Sequence, residues 1–248
     1  MNNSVIDFGR LGSLMKLNLH FNLRRMLYTA GIGIGMTLII CLYMLSLGTL
    51  EDQMYFNQHE YLFILSLYIS GFVFSGNSFI RLRSLQSTRD YLMLPASSTE
   101  KFIIEVLLTT VLYPFLFFII YWLFSLLFNA ILDSVSQAFF MPFSLNVAPY
   151  QRALMVYFFI QSIFLFGAAS FQKTPLIRTS LLFLLTVGFI VLFVYVAWFF
   201  YDLDKGMDEL AMNKLFYSSA VYYRHYFVIL LGLLFWVLTY LKLKEKEA

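Results

Sequence analysis

The chain has 248 residues, of which 60% are hydrophobic and 12% are charged, and its mean hydropathy is +0.76. This composition excludes an ordinary soluble domain. The formal net charge of +3 does not indicate nucleic-acid binding, because membrane topology accounts for the excess of cations. The single cysteine, Cys41, excludes a disulfide within the chain.

Six runs of sequence are apolar enough and long enough to cross a hydrocarbon layer about 30 Å thick as helices. They cover residues 26–50, 61–80, 102–128, 153–171, 175–200 and 226–241. Because each run is continuously apolar, helices are favoured over the strands of a membrane barrel, in which polar and apolar residues alternate. The predicted fold is all-α: a polytopic membrane protein with a six-helix domain over residues 26–248.

The distribution of basic residues predicts the orientation in the membrane. With the N-terminus inside, the inner segments hold 13 of the 17 Lys and Arg residues, and the outer segments hold 4. Inner segments of membrane proteins are enriched in Lys and Arg. Both termini are therefore predicted to be cytoplasmic.

Residues 1–25 precede the first predicted span and have an amphipathic pattern. Phe8, Leu11, Met15, Leu19 and Leu23 share one side of a helix, and Arg10, Lys16, His20 and Arg24 lie on the other. We expect a helix at the inner membrane surface that turns into the first span. The alternative is an ordinary basic flank.

Two features of the spans bear on helix packing. Gly31 and Gly35 lie four residues apart and form a flat strip that allows another helix to approach closely, in this chain or across a dimer. In the third span, Pro114 lacks a backbone N–H, which predicts a kink near Thr110.

The sequence lacks the motifs of several enzyme classes. It has no GxxxxGK[ST] phosphate loop, and "HEYLF" at His59 lacks the second histidine of a zinc-protease helix. No catalytic or metal-binding residue is predicted, and an enzyme is disfavoured. An ion-coupled transporter is also disfavoured, because the span centres carry no carboxylate and the halves show no repeat.

A polar stretch, "RDYLMLPASSTEKF", separates the second and third spans at residues 89–102. Pro95 disfavours helix at Leu94. Ser97 and Glu100 form a capping-box pattern, which predicts that the third helix starts here, and Lys101 marks the inner interface. The apolar residues before Pro95 are not needed for solubility, and they predict a surface covered by a partner or by the membrane.

The loop "LPASSTEKF", the basic lead-in "NLRRMLY" and six spans with both ends inside resemble the permease subunits of type-2, exporter-class ATP-binding-cassette transporters, especially versions found in Bacteroidetes-like bacteria. This resemblance implies a multi-pass protein of the bacterial cytoplasmic (inner) membrane. It also implies a dimer with a second permease subunit, identical or different, and export of a lipid-like, peptide or drug-like substrate.

In that family a separate cytoplasmic ATPase drives each permease through the inner loop between the second and third spans. Residues 83–93 would then be the coupling element and residues 94–101 its connection to the third helix. ATP and magnesium would bind to the partner ATPase, and this chain would hold no cofactor. The coupling residues implied in this way are Arg83, Arg89, Asp90, Tyr91, Leu92, Leu94, Pro95, Glu100 and Lys101.

Two other functions remain open from the sequence. One is a non-transporting membrane scaffold or assembly factor whose inner loop binds a different partner. The other is an intramembrane enzyme, which requires polar groups from different spans to converge at mid-membrane depth.

Overall fold

A computed structural model of the protein describes residues 8–46, 58–80, 97–136, 147–171, 173–203 and 209–247. These residues are almost entirely helical and include no β-strand. The α-helices are α1 (Phe8–Ser46), α2 (Gln58–Gly76), α3 (Ser98–Leu107), α4 (Tyr113–Ser136), α5 (Val147–Ser170), α6 (Pro175–Leu203) and α7 (Glu209–Glu247), and a π-helical segment (Leu108–Leu112) joins α3 to α4.

The first helix, α1, runs without a break through the boundary predicted at residue 25. Its 39 residues contain no proline. At 1.5 Å per residue it is about 58 Å long, which exceeds the full thickness of a bilayer, about 40–45 Å with its headgroups. The described part of the amphipathic N-terminal segment and of the first predicted span, residues 8–46, therefore forms one continuous helix.

Apolar length identifies the protein as membrane-embedded. Among the described residues, three helical stretches are long and apolar enough to span a bilayer: Gly9–Tyr43, Ser98–Ile131 and Ala153–Ser170. Tyr61–Gly76 and Pro175–Phe189 are shorter apolar helices. The predicted all-helical membrane fold is confirmed at this level.

The core of the bundle is aromatic, and α5 lies at its centre, in contact with α2, α6 and α7. Tyr113 of α4 stacks on Phe74 of α2 with ring centroids 4.7 Å apart. Phe63 of α2 meets Tyr121 of α4 edge to face at 5.1 Å. Without a hydrophobic force between helices in lipid, such close packing supplies most of the association energy.

Three contacts bring several helix ends together at one end of the bundle. Arg10 near the start of α1 is 3.8 Å from Glu100 at the start of α3. The hydroxyl oxygens of Thr99 in α3 and Tyr240 in α7 are 3.3 Å apart. Lys246, at the end of α7, reaches the end of α5. The first helix thus begins, and the last helix ends, at the same end of the bundle, which we call the Glu100 end.

Candidate functional site

Most of the predicted coupling residues lie outside the part of the chain that the structure describes. These are Arg83, Arg89, Asp90, Tyr91, Leu92, Leu94 and Pro95. Glu100 and Lys101 are described, and both are buried, with 0% and 3% of their surface exposed. The described part of this region is therefore the third helix itself, from its start at Ser97 to the π-helical segment that ends at Leu112.

The predicted capping box at the start of α3 is confirmed. The Ser97 hydroxyl accepts a hydrogen bond from the Glu100 backbone N–H at 3.2 Å, and a Glu100 carboxylate oxygen accepts one from the Ser97 N–H at 2.9 Å. Ser97 has the extended backbone that an N-cap requires. Two amides that a helix start leaves unpaired are thereby satisfied.

The same carboxylate connects α3 to α1. While one oxygen of Glu100 closes the capping box, the other faces Arg10. A carboxylate near a helix N-terminus is also stabilised by the helix dipole. Leu14 of α1, which packs with Ile104 and Leu108, continues this contact along the helix.

The last helix, α7, holds the other side of this helix start. Besides the Thr99–Tyr240 contact, the Phe102 and Tyr240 rings meet edge to face at 5.8 Å. The third helix therefore begins in contact with both α1 and α7, directly after the segment predicted to couple to an ATPase.

In the middle of the third helix, the hydrogen-bond pattern widens to π-helical geometry. The Tyr113 N–H donates to the Leu108 carbonyl, five residues back, and Pro114 has no N–H to donate. The prediction for this place was a kink near Thr110, which stays a prediction; the structure has a π-helical segment over Leu108–Leu112. Such segments free a carbonyl from the helical pattern and are frequent at functional sites.

Side chains from α5 bind the freed groups of this segment. The Tyr157 hydroxyl donates to the Thr109 carbonyl at 2.9 Å, and the Gln161 amide donates to the Thr109 hydroxyl at 2.6 Å. Thr109 in turn donates to the Glu105 carbonyl. We call Thr109, Tyr157 and Gln161 the polar joint.

Further buried polar groups surround the polar joint. The Tyr113 hydroxyl, the Ser75 hydroxyl and the Gln161 carbonyl oxygen have no well-formed hydrogen bond to the described residues. Tyr113 lies beside the hydroxyls of Ser70 and Thr29. Polar groups from α1, α2, the π-helical segment, α4 and α5 therefore meet inside the bundle. The sequence did not predict this cluster.

One signal could have revealed this cluster. Tyr157 and Gln161 are four residues apart, on one face of α5, and a buried face with two polar side chains needs partners. Hydroxyl and amide groups bind and orient, but they are weak acids and bases. Within the described residues, no group of three or more His, Cys, Asp or Glu side chains comes together.

Basic side chains cap two helix ends at the Glu100 end of the bundle. The Arg25 guanidinium of α1 donates to the Asn77 carbonyl, just after α2, and the Lys246 ammonium donates to the Ala169 carbonyl near the end of α5 at 2.6 Å. Burial lowers the pKa of Lys246, and nearby Lys242 lowers that pKa further. Cations at these positions also complement the negative end of the helix dipole.

The glycine strip predicted on α1 makes no close contact with the rest of the described residues. A Cβ atom placed at Gly31 or Gly35 would meet no atom within 4 Å, whereas one at Gly33 would press on Phe117, the Ser66 carbonyl and Ser70. Gly33 therefore allows α1 to approach α2 and α4 closely. Gly31 and Gly35 face away from the bundle, where their contact with a second subunit stays a prediction.

Comparison of the chain with protein-family models, curated proteins and solved structures finds no match.

Proposed function

We propose that this protein is the membrane-spanning subunit of an ATP-driven exporter. Six helices, with the boundaries predicted from the sequence, cross the bacterial inner membrane, and the Glu100 end of the bundle faces the cytoplasm. A separate ATPase binds ATP and magnesium and pushes on the segment before the third helix. The protein works as a dimer with a second permease subunit.

The observation that carries this proposal is the connection of the third-helix start to two other helices. Glu100 faces Arg10 of α1, and Thr99 contacts Tyr240 of α7. A displacement of residues 83–96 then moves three helices together instead of bending a loose loop. Force reaches the rest of the bundle only if the displaced part moves as a rigid unit, because packed helices switch between discrete arrangements and do not deform continuously.

The polar joint lies where the third helix can change its geometry, at the π-helical segment between α3 and α4. Because the π-helical segment leaves the Thr109 carbonyl to the Tyr157 hydroxyl, a side-chain bond holds the middle of this helix to α5. Side-chain bonds exchange without unwinding a helix. We infer that α3 moves together with α1 and α7 when the ATPase acts, that the angle between α3 and α4 changes at the π-helical segment, and that the polar joint re-forms after each cycle.

Co-purification tests the proposal. The tagged full-length protein is extracted from native membranes, and the associated proteins are identified and assayed for ATP hydrolysis. We expect an ATP-binding-cassette ATPase in stoichiometric amounts. Repeated isolation of the intact protein without an ATPase contradicts transport, and a different stoichiometric partner supports the scaffold function instead.

Variants locate the contact. The double variant Arg89→Glu/Asp90→Arg and the single variant Leu92→Asp are expected to lower ATPase recovery at least tenfold, because each places a charge or reversed charge in the predicted docking surface. Lys173→Glu, a charge reversal at an exposed position between α5 and α6, is the matched control. Equal recovery with all variants places the ATPase contact elsewhere.

A further inference from the structure

The outer face of the first part of α1 carries a stripe of basic side chains with apolar side chains on both sides. Lys16, His20 and Arg24 follow one another at four-residue spacing, and all three are exposed. Side chains four residues apart lie above one another on a helix. We call these three residues the basic stripe. Exposed apolar side chains border it: Leu17, Phe21 and Tyr28 on one side, Leu23 and Leu27 on the other.

Packing fixes the direction in which this face points. Leu14, Asn18, Asn22 and Met26, also at four-residue spacing, are buried on the opposite side of α1. The helix therefore cannot rotate to bring the basic stripe into the bundle. The sequence of α1 also contains no Asp or Glu to neutralise the stripe.

Adjacent arginines illustrate the difference between the two faces. Arg25 turns inward and caps the end of α2 at Asn77. Arg24 turns outward, where its guanidinium lies 5.6 Å from the centre of the Tyr28 ring and its Nε donates to the Tyr28 hydroxyl at 3.3 Å. Such a cation–π contact orients the guanidinium without neutralising its charge.

The Arg24 end of the basic stripe lies at the depth of the headgroup layer. Counted from residue 26, where the apolar core is predicted to begin, Arg24 and His20 lie about 3 Å and 9 Å along the helix axis, and Lys16 about 15 Å. A headgroup layer is about 5–8 Å thick, and a lysine side chain extends along apolar surface to reach it. Phe21 and Tyr28 lie where aromatic side chains are enriched in membrane proteins.

We propose that the basic stripe binds an anionic phospholipid, with the headgroup phosphate against Lys16, His20 and Arg24 and an acyl chain along Leu17, Phe21 and Tyr28. Charge complementarity and the apolar borders select this ligand: a soluble anion would leave the borders uncovered, and a neutral lipid would leave the cations unpaired. The site requires that α1 enters the membrane at this depth, but it does not require that the protein exports a substrate.

Lipid retention tests the site. The full-length protein is placed in nanodiscs containing equal amounts of phosphatidylglycerol and phosphatidylcholine, released in mild detergent, and examined by native mass spectrometry for bound lipid. We expect phosphatidylglycerol to be retained over phosphatidylcholine. Lys16→Gln/Arg24→Gln should lower that preference on the order of tenfold, because each cation near an anionic surface contributes about fivefold.

The control is Lys173→Gln/Lys244→Gln, which removes the same charge from two exposed positions in the predicted inner segments. It should leave the preference unchanged. An equal loss in the control, or no loss in the stripe variant, overturns the proposal. In the unaltered protein the preference should fall as salt is raised, since screening weakens interactions between exposed charges; a preference that is constant with salt also overturns it.

Discussion

Two helices that are neighbours in the sequence, α5 and α6, have opposite surroundings in the bundle. On α5, buried residues recur from Ala153 to Ala169. On α6, every residue after Phe183 whose side chain is described is exposed, and Leu184, Phe189 and Tyr195 are each about 70% exposed. Both helices are strongly apolar, so hydrophobicity does not distinguish the packed helix from the exposed one.

Residue size and polarity do distinguish them. The packed helix carries Gln161, Ser162, Gly167, Ala168 and Ala169, and all five are buried. Residues 181–195 of α6, where nearly all the described side chains are exposed, read "LLFLLTVGFIVLFVY" and are mostly large aliphatic and aromatic residues. In lipid, small residues allow backbones to approach and polar residues bond across helices, whereas large apolar residues are equally well solvated by acyl chains.

The largest expected difference concerns a phenylalanine on each helix. Phe164 is buried and stacks on Phe72 with centroids 5.0 Å apart, whereas Phe189 is exposed. Phe164→Ala should lower the free energy of unfolding by about 3 kcal/mol or more, and Phe189→Ala by less than about 0.5 kcal/mol. Thermal unfolding in detergent, followed by size-exclusion fluorescence, measures both; equal effects would refute the assigned packing.

A glycine on each helix provides the next test. A Cβ atom at Gly167 would overlap Thr179 of α6, while one at Gly188 would meet no atom within 4 Å. Gly167→Leu should therefore destabilise the protein by about 1–3 kcal/mol through overpacking. Gly188→Leu should be neutral or slightly stabilising, because leucine is the better helix former. The same thermal-unfolding assay measures both variants. A loss of stability in Gly188→Leu would mean that other residues cover this face of α6.

The hydroxyl of Tyr157 should have a smaller effect. Tyr157→Phe leaves the Thr109 carbonyl without its donor inside the bundle, at an expected cost of about 1–2 kcal/mol. Tyr195→Phe, on the exposed face of α6, is the control and should change nothing. Hydrogen exchange of the amides from residue 108 to 113 should also accelerate in Tyr157→Phe alone; unchanged exchange would show that Tyr157 does not hold the π-helical segment.

The smallest effect is expected at Gln161. Gln161→Leu removes a bond to the Thr109 hydroxyl, but it also removes a buried carbonyl oxygen without a partner. These changes oppose each other, so the net loss of stability should stay below about 0.6 kcal/mol, the average for such bonds in membranes. A loss as large as that of Tyr157→Phe would indicate that the Gln161 oxygen has a partner, such as a buried water.

Local rules predicted the features that depend on a few adjacent residues. Ser97 and Glu100 form the capping box that their three-residue spacing indicates, and α6 begins at Pro175, where a proline suits the first helical position. Near Pro114, where a kink was predicted, the structure has a π-helical segment that ends two residues before the proline. Each of these outcomes follows from backbone hydrogen bonds between residues that are close in sequence.

Contacts between distant residues could not be predicted in this way. The Asn77 carbonyl needs a donor because α2 ends there, but nothing in the sequence indicates that Arg25, and not Arg24, supplies it. Likewise the sequence favoured Gly31 and Gly35 as the packing strip, but the positions of Phe117, Ser66 and Ser70 make Gly33 the residue at the contact. Which face of a helix turns inward is decided by the other helices.

Because α1 is unbroken, a small tilt of this helix can be measured with spectroscopic labels. A rod about 58 Å long that tilts by about 5° displaces its far end by about 5 Å. A spectroscopic label near Arg10, together with one outside α1, such as at the exposed Lys173 between α5 and α6, would therefore register small tilts of α1 without a flexible linker to blur the signal. Such a pair of labels would convert a tilt of α1 within the bundle into a measurable distance.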